Sequence, residues 1–112
     1  MQISTKLQIT IVLVSLIAAL SGCASSLIGV REGSERVSLA EAKQVAACQS
    51  KGKINVSVLA KIGLNPRDAE DVEANLFQLA RNNAVDNGAD TLVKGESKEF
   101  GTRTFEMYKC RP

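Results

Sequence analysis

Apolar residues run almost unbroken from Leu7 to Leu20, interrupted only by Gln8, Thr10 and Ser15, behind a short, weakly positive start at Met1–Lys6. Fourteen residues in a helix reach roughly 21 Å, short of the ~30 Å hydrocarbon layer of a bilayer. That length suits the apolar stretch of a signal peptide better than a membrane span. After residue 37 the pattern changes to that of a small mixed domain. Ser38-Leu39-Ala40-Glu41 fits a helix capping box and predicts a short helix through Ala47, ended by Cys48. Lys53 to Val58 alternates with period two, which predicts a strand with Ile54, Val56 and Val58 facing inward. Asn65-Pro66 predicts the start of the main helix, with Asn as the cap and Pro in the first helical position. On that helix Ala69, Val72, Leu76, Phe77, Leu79, Ala80 and Ala84 form one broad apolar stripe. Glu70, Asp71, Asn75, Gln78, Arg81, Asn82 and Asp86 form the polar side. Asn83 falls inside the stripe, as a buried amide bonded to backbone or as a ligand contact. Asn87-Gly88 stops the helix. Thr91–Val93 and Arg103–Cys110 read as two further strands, joined by a turn over Ser97–Thr102. Phe105 and Met107 share one face of the last strand. Phe100 either folds back onto the core, the reading preferred here, or stands exposed towards a partner.

The apolar leader runs straight into Leu20-Ser21-Gly22-Cys23, which resembles a bacterial lipobox: an aliphatic residue, two small residues, then Cys. The resemblance implies diacylglycerol on the Cys23 sulfur and cleavage between Gly22 and Cys23. Residues 1–22 are thus expected to be a lipoprotein signal peptide, residues 23–37 the lipidated Cys and a tether, and residues 38–112 a small periplasmic domain. Each buried CH₂ of an acyl chain contributes roughly 0.8 kcal/mol, and several chains together anchor firmly. Ala24 and Ser25 follow the Cys. The absence of an Asp there resembles the pattern of lipoproteins sent to the outer membrane. The tether is expected to be a flexible spacer of at most about 45 Å. Its apolar residues Leu27, Ile28 and Val30 face either the membrane or the domain.

Three cysteines are present, Cys23, Cys48 and Cys110. Lipidation of the first leaves one pair, and export to an oxidising compartment makes a Cys48–Cys110 disulfide the expected outcome. It closes a loop of about 63 residues, a constraint worth roughly 4 kcal/mol in the chain-entropy model. The bridge also sets the topology. Cys48 precedes the first expected strand and Cys110 ends the third. Their Cα atoms come within the necessary ~7 Å only if those strands are antiparallel neighbours. The expected fold is therefore α+β: a three-stranded antiparallel sheet of order 1-3-2, one long helix on one face, a short helix before it, and one disulfide.

Composition narrows the chemistry. The chain has 112 residues with no His and no Trp, and 14 Lys and Arg nearly balance 12 Asp and Glu. The lack of His removes imidazole catalysis and His-ligated metals, and a near-neutral body lacks the basic face of a nucleic-acid binder. No phosphate-binding glycine loop occurs, and two distant Cys do not make a zinc site. Asp68, Glu70, Asp71 and Glu73 could hold a cation, but they also suit the positive end of the helix dipole. Ser50-Lys51 and Ser97-Lys98 are the only sequence-adjacent candidates for a Ser–Lys dyad. Asn55-Val56-Ser57 matches a glycosylation sequon by chance. No catalytic residue, metal or cofactor is expected.

Asn75-Leu76, Leu79-Ala80-Arg81-Asn82-Asn83-Ala84, Gly88-Ala89-Asp90-Thr91-Leu92-Val93 and the closing Tyr108-Lys109-Cys110 resemble a family of small bacterial lipoproteins of unknown function. Members combine a lipobox, a Cys before the first strand, an Ala-x-x-x-Gly-Ala-Asn/Asp turn and a final Tyr-x-Cys. The fold they imply is similar to that of the outer-membrane sensor lipoprotein of the Rcs envelope-stress phosphorelay, which has a longer Pro-rich tether and two disulfides. The resemblance supplies no catalytic residues. Three readings follow: a non-enzymatic binding or sensing module with an envelope protein as partner, a passive structural lipoprotein, or a small accessory enzyme. The first is preferred.

Overall fold

A computed structural model describes residues 28–112. The expected signal peptide, the Gly22–Cys23 cleavage site and the lipidation site Cys23 lie outside the described residues. The elements are β1 (Ser38–Ala40), β2 (Gln49–Ser57), β3 (Lys61–Ile62), β4 (Asn65–Pro66), α1 (Ala69–Asp86), β5 (Thr91–Lys94) and β6 (Thr102–Lys109), with 3-10 turns at Ser34–Arg36 and Ala42–Val45. The class is α+β, with one α-helix among the described residues and one disulfide, Cys48–Cys110, whose Cα atoms lie 4.6 Å apart.

The sheet differs from the expected three-stranded antiparallel one. It has four strands in the order β1-β5-β6-β2 and is mixed. β6 is antiparallel to both β2 and β5, and β1 runs parallel to β5, pairing Ser38 with Thr91 and Ala40 with Val93. The extra strand is the segment expected to begin a helix. Its anchors are distant in sequence: Ser38 N–H donates to the Asp90 carbonyl at 3.0 Å, and Val37 is buried in the core. Three residues gain more by completing a ladder than by opening a short helix. The capping box is found three residues later. Glu41 caps the 3-10 turn Ala42–Val45, and the Gln44 side-chain carbonyl accepts from Glu41 N–H at 2.8 Å.

The main helix also begins later than Asn65-Pro66 suggested. Those residues form β4, antiparallel to β3, around a two-residue connection, Gly63-Leu64. Gly63 sits at φ +63°, the conformation a tight hairpin needs at its first position. Asp68 is the true cap, its carboxylate accepting from Glu70 N–H (2.9 Å) and Asp71 N–H (3.3 Å). The helix ends at Asp86 and the chain turns at Asn87-Gly88, as the sequence predicted.

Val72, Leu76, Ala80 and Ala84 recur every fourth residue on α1 and are fully buried, packing over Val56, Leu92, Phe105 and Met107 of the sheet. Ile54 and Val58 pack against this core and are partly buried, on the inward side of their strand. Two positions depart from the helical wheel. Asn75, placed with the polar residues, is 8% exposed, and its side-chain oxygen accepts from Arg67 Nη2 at 2.9 Å. Asn83 uses its amide to donate to the Leu79 carbonyl at 2.8 Å, the backbone-bonded alternative.

The polar face of α1 is the seat of the segment before β1. Asn82 Nδ2 donates to the Gly29 carbonyl (2.7 Å), and Arg31 N–H donates to Asn82 Oδ1 (3.0 Å). Arg31 pairs with Asp86 at 2.6 Å, and Gln78 donates to the fully buried Ser34 hydroxyl. From Gly29 onward the expected free spacer is therefore part of the folded body.

Candidate functional site

The two ends of β2 are unlike. Eight residue steps of strand, about 27 Å, separate a cross-linked end from one that carries exposed apolar side chains.

At the cross-linked end Cys48 enters β2 and Cys110 leaves β6. Asp90 organises the exit. Its carboxylate accepts from Cys110 N–H (2.8 Å), Arg111 N–H (2.9 Å) and the Thr91 hydroxyl (2.9 Å). Arg111 also donates to the Asp90 and Arg36 carbonyls, tying the C-terminus to the segment before β1. Burial raises the Asp90 pKa, but the two backbone donors, the hydroxyl and the Arg111 charge outweigh it, and the net shift is downward.

At the other end the β3–β4 hairpin stands beside the β5–β6 turn. Val58 N–H donates to the Gly101 carbonyl at 2.8 Å. Gly101 packs so tightly on the hairpin base that a Cβ there would meet the Ala60 Cβ at 2.9 Å. Arg67 fixes the hairpin to the helix. Its N–H donates to the Ala60 carbonyl (2.9 Å), Nη1 to the Leu59 carbonyl (2.8 Å) and Nη2 to Asn75 (2.9 Å). Four large apolar side chains are thereby held towards solvent: Leu64 is 97% exposed, Ile62 64%, Leu59 59% and Phe100 45%. The preferred expectation that Phe100 folds into the core is overturned, because Gly101 rather than Phe100 fills the space against Ala60. Scattered exposed leucines are ordinary; these four lie at the same end of the sheet.

A third cluster ties α1 to the sheet. Glu73 accepts from Arg103 Nε (3.0 Å) and Nη2 (2.8 Å), while Arg103 Nη1 donates to the Gly95 carbonyl (2.7 Å). The Arg103 hydrogen bond holds the Glu73 pKa below the ordinary value against the opposing effect of burial. The adjoining cleft, lined by Leu39, Ala74, Phe77 and Phe105, measures about 250 Å³, below the usual size of a ligand pocket. This ion pair joins two elements and presents no unpaired acid or base.

The other residues considered for chemistry do not come together. Ser97 donates its hydroxyl to the Glu99 carbonyl, and Ser50 accepts from Gly52 N–H, so neither serine bonds its neighbouring lysine. Asp68 is spent as a cap and Glu73 on Arg103, and no group of potential metal ligands gathers among the described residues. No described helix is long and apolar enough to cross a membrane. The apolar end was weakly legible in the sequence: Leu59–Leu64 is unusually apolar for a connection, but nothing local joins it to Phe100. Comparison with family models, curated proteins and solved structures finds no match to this chain.

Proposed function

We propose that this chain is an envelope lipoprotein, anchored to the outer membrane by acyl chains on Cys23, and that it works as a non-enzymatic binding or sensing module facing the periplasm. The observation that carries the binding reading is the exposed apolar group Leu59, Ile62, Leu64 and Phe100 at one end of the sheet. The side chains stand out in solvent instead of lining a cleft, and the partner on this reading is a protein that supplies an apolar groove. The hairpin backbone is braced by Arg67 and Gly101 before binding, which lowers the entropy lost on docking.

The docked segment fixes the distance to the membrane under this reading. With Gly29 held by Asn82, the six steps back to Cys23 span at most about 21 Å. The body then stays close to the bilayer instead of ranging over a long spacer.

The test is photo-crosslinking in cells from probes at Ile62, Leu64 and Phe100, with Glu106 on the open sheet face as the reference position. The expected result is one specific adduct from the three apolar positions and none from Glu106. Identical adducts with abundant bystanders from all four positions overturn the reading in favour of a passive structural lipoprotein.

A further inference from the structure

β2 is the long edge of the sheet, and its backbone pattern shows which groups lie free. Thr104 turns both backbone groups towards β5: its N–H donates to the Glu96 carbonyl and its carbonyl accepts from Gly95 N–H. Strand geometry alternates, so Arg103 and Phe105 turn theirs to β2, where Val56 and Ile54 face them. Lys53, Asn55 and Ser57 therefore aim their N–H and C=O groups outward. All three residues are exposed, and among the described residues β6 is the sole strand paired with β2.

The geometry points to a two-fold dimer in which β2 pairs antiparallel with β2 of a second copy, centred on Asn55. In this register Asn55 faces Asn55 of the second copy, and Lys53 faces Ser57 on both sides of the axis. Every outward residue meets an outward residue, which gives about six backbone hydrogen bonds. No like charges oppose one another, whereas centring on Lys53 would set lysine against lysine. Ile54 meets Val56 on the helix-covered face and extends the core across the junction.

Two further features favour a second copy over a foreign strand. A two-fold axis between antiparallel strands stands perpendicular to the sheet, so both α1 helices lie on one face. Gly29 and Ser34 are bonded to α1, so both leading segments leave from that layer, which suits two anchors in one bilayer, a point that rests on the proposed lipoprotein reading. The assembly also closes. The bulge between Ser50 and Gly52, with Lys51 in it, limits pairing to the regular half of β2. The opposite edge, β1, has only three residues and does not propagate a fibre.

The experiment uses the full-length processed protein in its native membrane. Paired residues of this kind bring Cα atoms to about 5.5 Å, within disulfide reach. Asn55→Cys should form an interchain disulfide on the order of tenfold faster than the exposed reference Glu96→Cys. Adding Ser57→Lys sets lysine opposite Lys53 and should slow cross-linking roughly tenfold, and adding Lys53→Glu as well should restore it. An intact Cys48–Cys110 bridge on non-reducing gels verifies that each variant folds. Equal rates for Asn55→Cys and Glu96→Cys overturn the pairing, and so does indifference to Ser57→Lys.

Discussion

Gly101 and Ala60 are packed so closely that a single added methyl at 101 would stand 2.9 Å from the Ala60 side chain and 3.1 Å from the Val58 carbonyl. This contact holds the β3–β4 hairpin and the β5–β6 turn together as one surface. Gly101 also sits at φ +92°, which disfavours any side chain. Gly101→Ala should cost about 2 kcal/mol or more through strain and overpacking. Urea denaturation measures it, and an unchanged midpoint would show that the two loops are not mutually braced.

The Cys48–Cys110 bridge joins the start of β2 to the end of β6. Cys48→Ser should lower stability by about 2–5 kcal/mol. The oxidised wild type should migrate faster than the reduced protein on gels, a difference the variant loses. Equal mobility of wild type with and without reductant would contradict the bridge.

Asp90 has a folded-state pKa below its ordinary value. Its contribution is thus present above the unfolded aspartate pKa near 4 and is lost as pH falls through the lower, folded value. Asp90→Asn keeps one acceptor but turns a donor towards the Arg111 N–H. It should destabilise the domain at neutral pH, and the gap from wild type should shrink below about pH 4. A gap constant from pH 7 to pH 3 would exclude this carboxylate as the source.

The sequence displayed features decided by near neighbours and concealed those decided by distant ones. The inward side of β2, the Asn87-Gly88 stop and the Phe105/Met107 face follow from periodicity and turn chemistry. Ser38–Ala40 carries a local helix signal, yet its fate is set by β5, more than fifty residues on. Asn65-Pro66 is a plausible helix start, but pairing with Lys61 and Ile62 delays the helix to Asp68. Asn75 looks solvated on a wheel because the wheel omits Arg67. Gln78, Asn82 and Asp86 form a polar face because they bind the leading segment. The apolar end is a tertiary product: Leu59–Leu64 is conspicuously apolar in the sequence, but it meets Phe100 only in the fold, where Gly101 packs on Ala60 and bonds Val58.

Membrane anchoring at Cys23 is the claim on which the proposed role rests, and fractionation of cells fed labelled palmitate tests it most directly. The wild-type protein should sediment with the outer membrane and carry the label, while Cys23→Ala should lose both. Unlabelled wild-type protein in the soluble cell interior, with residues 1–22 still attached, would contradict the account.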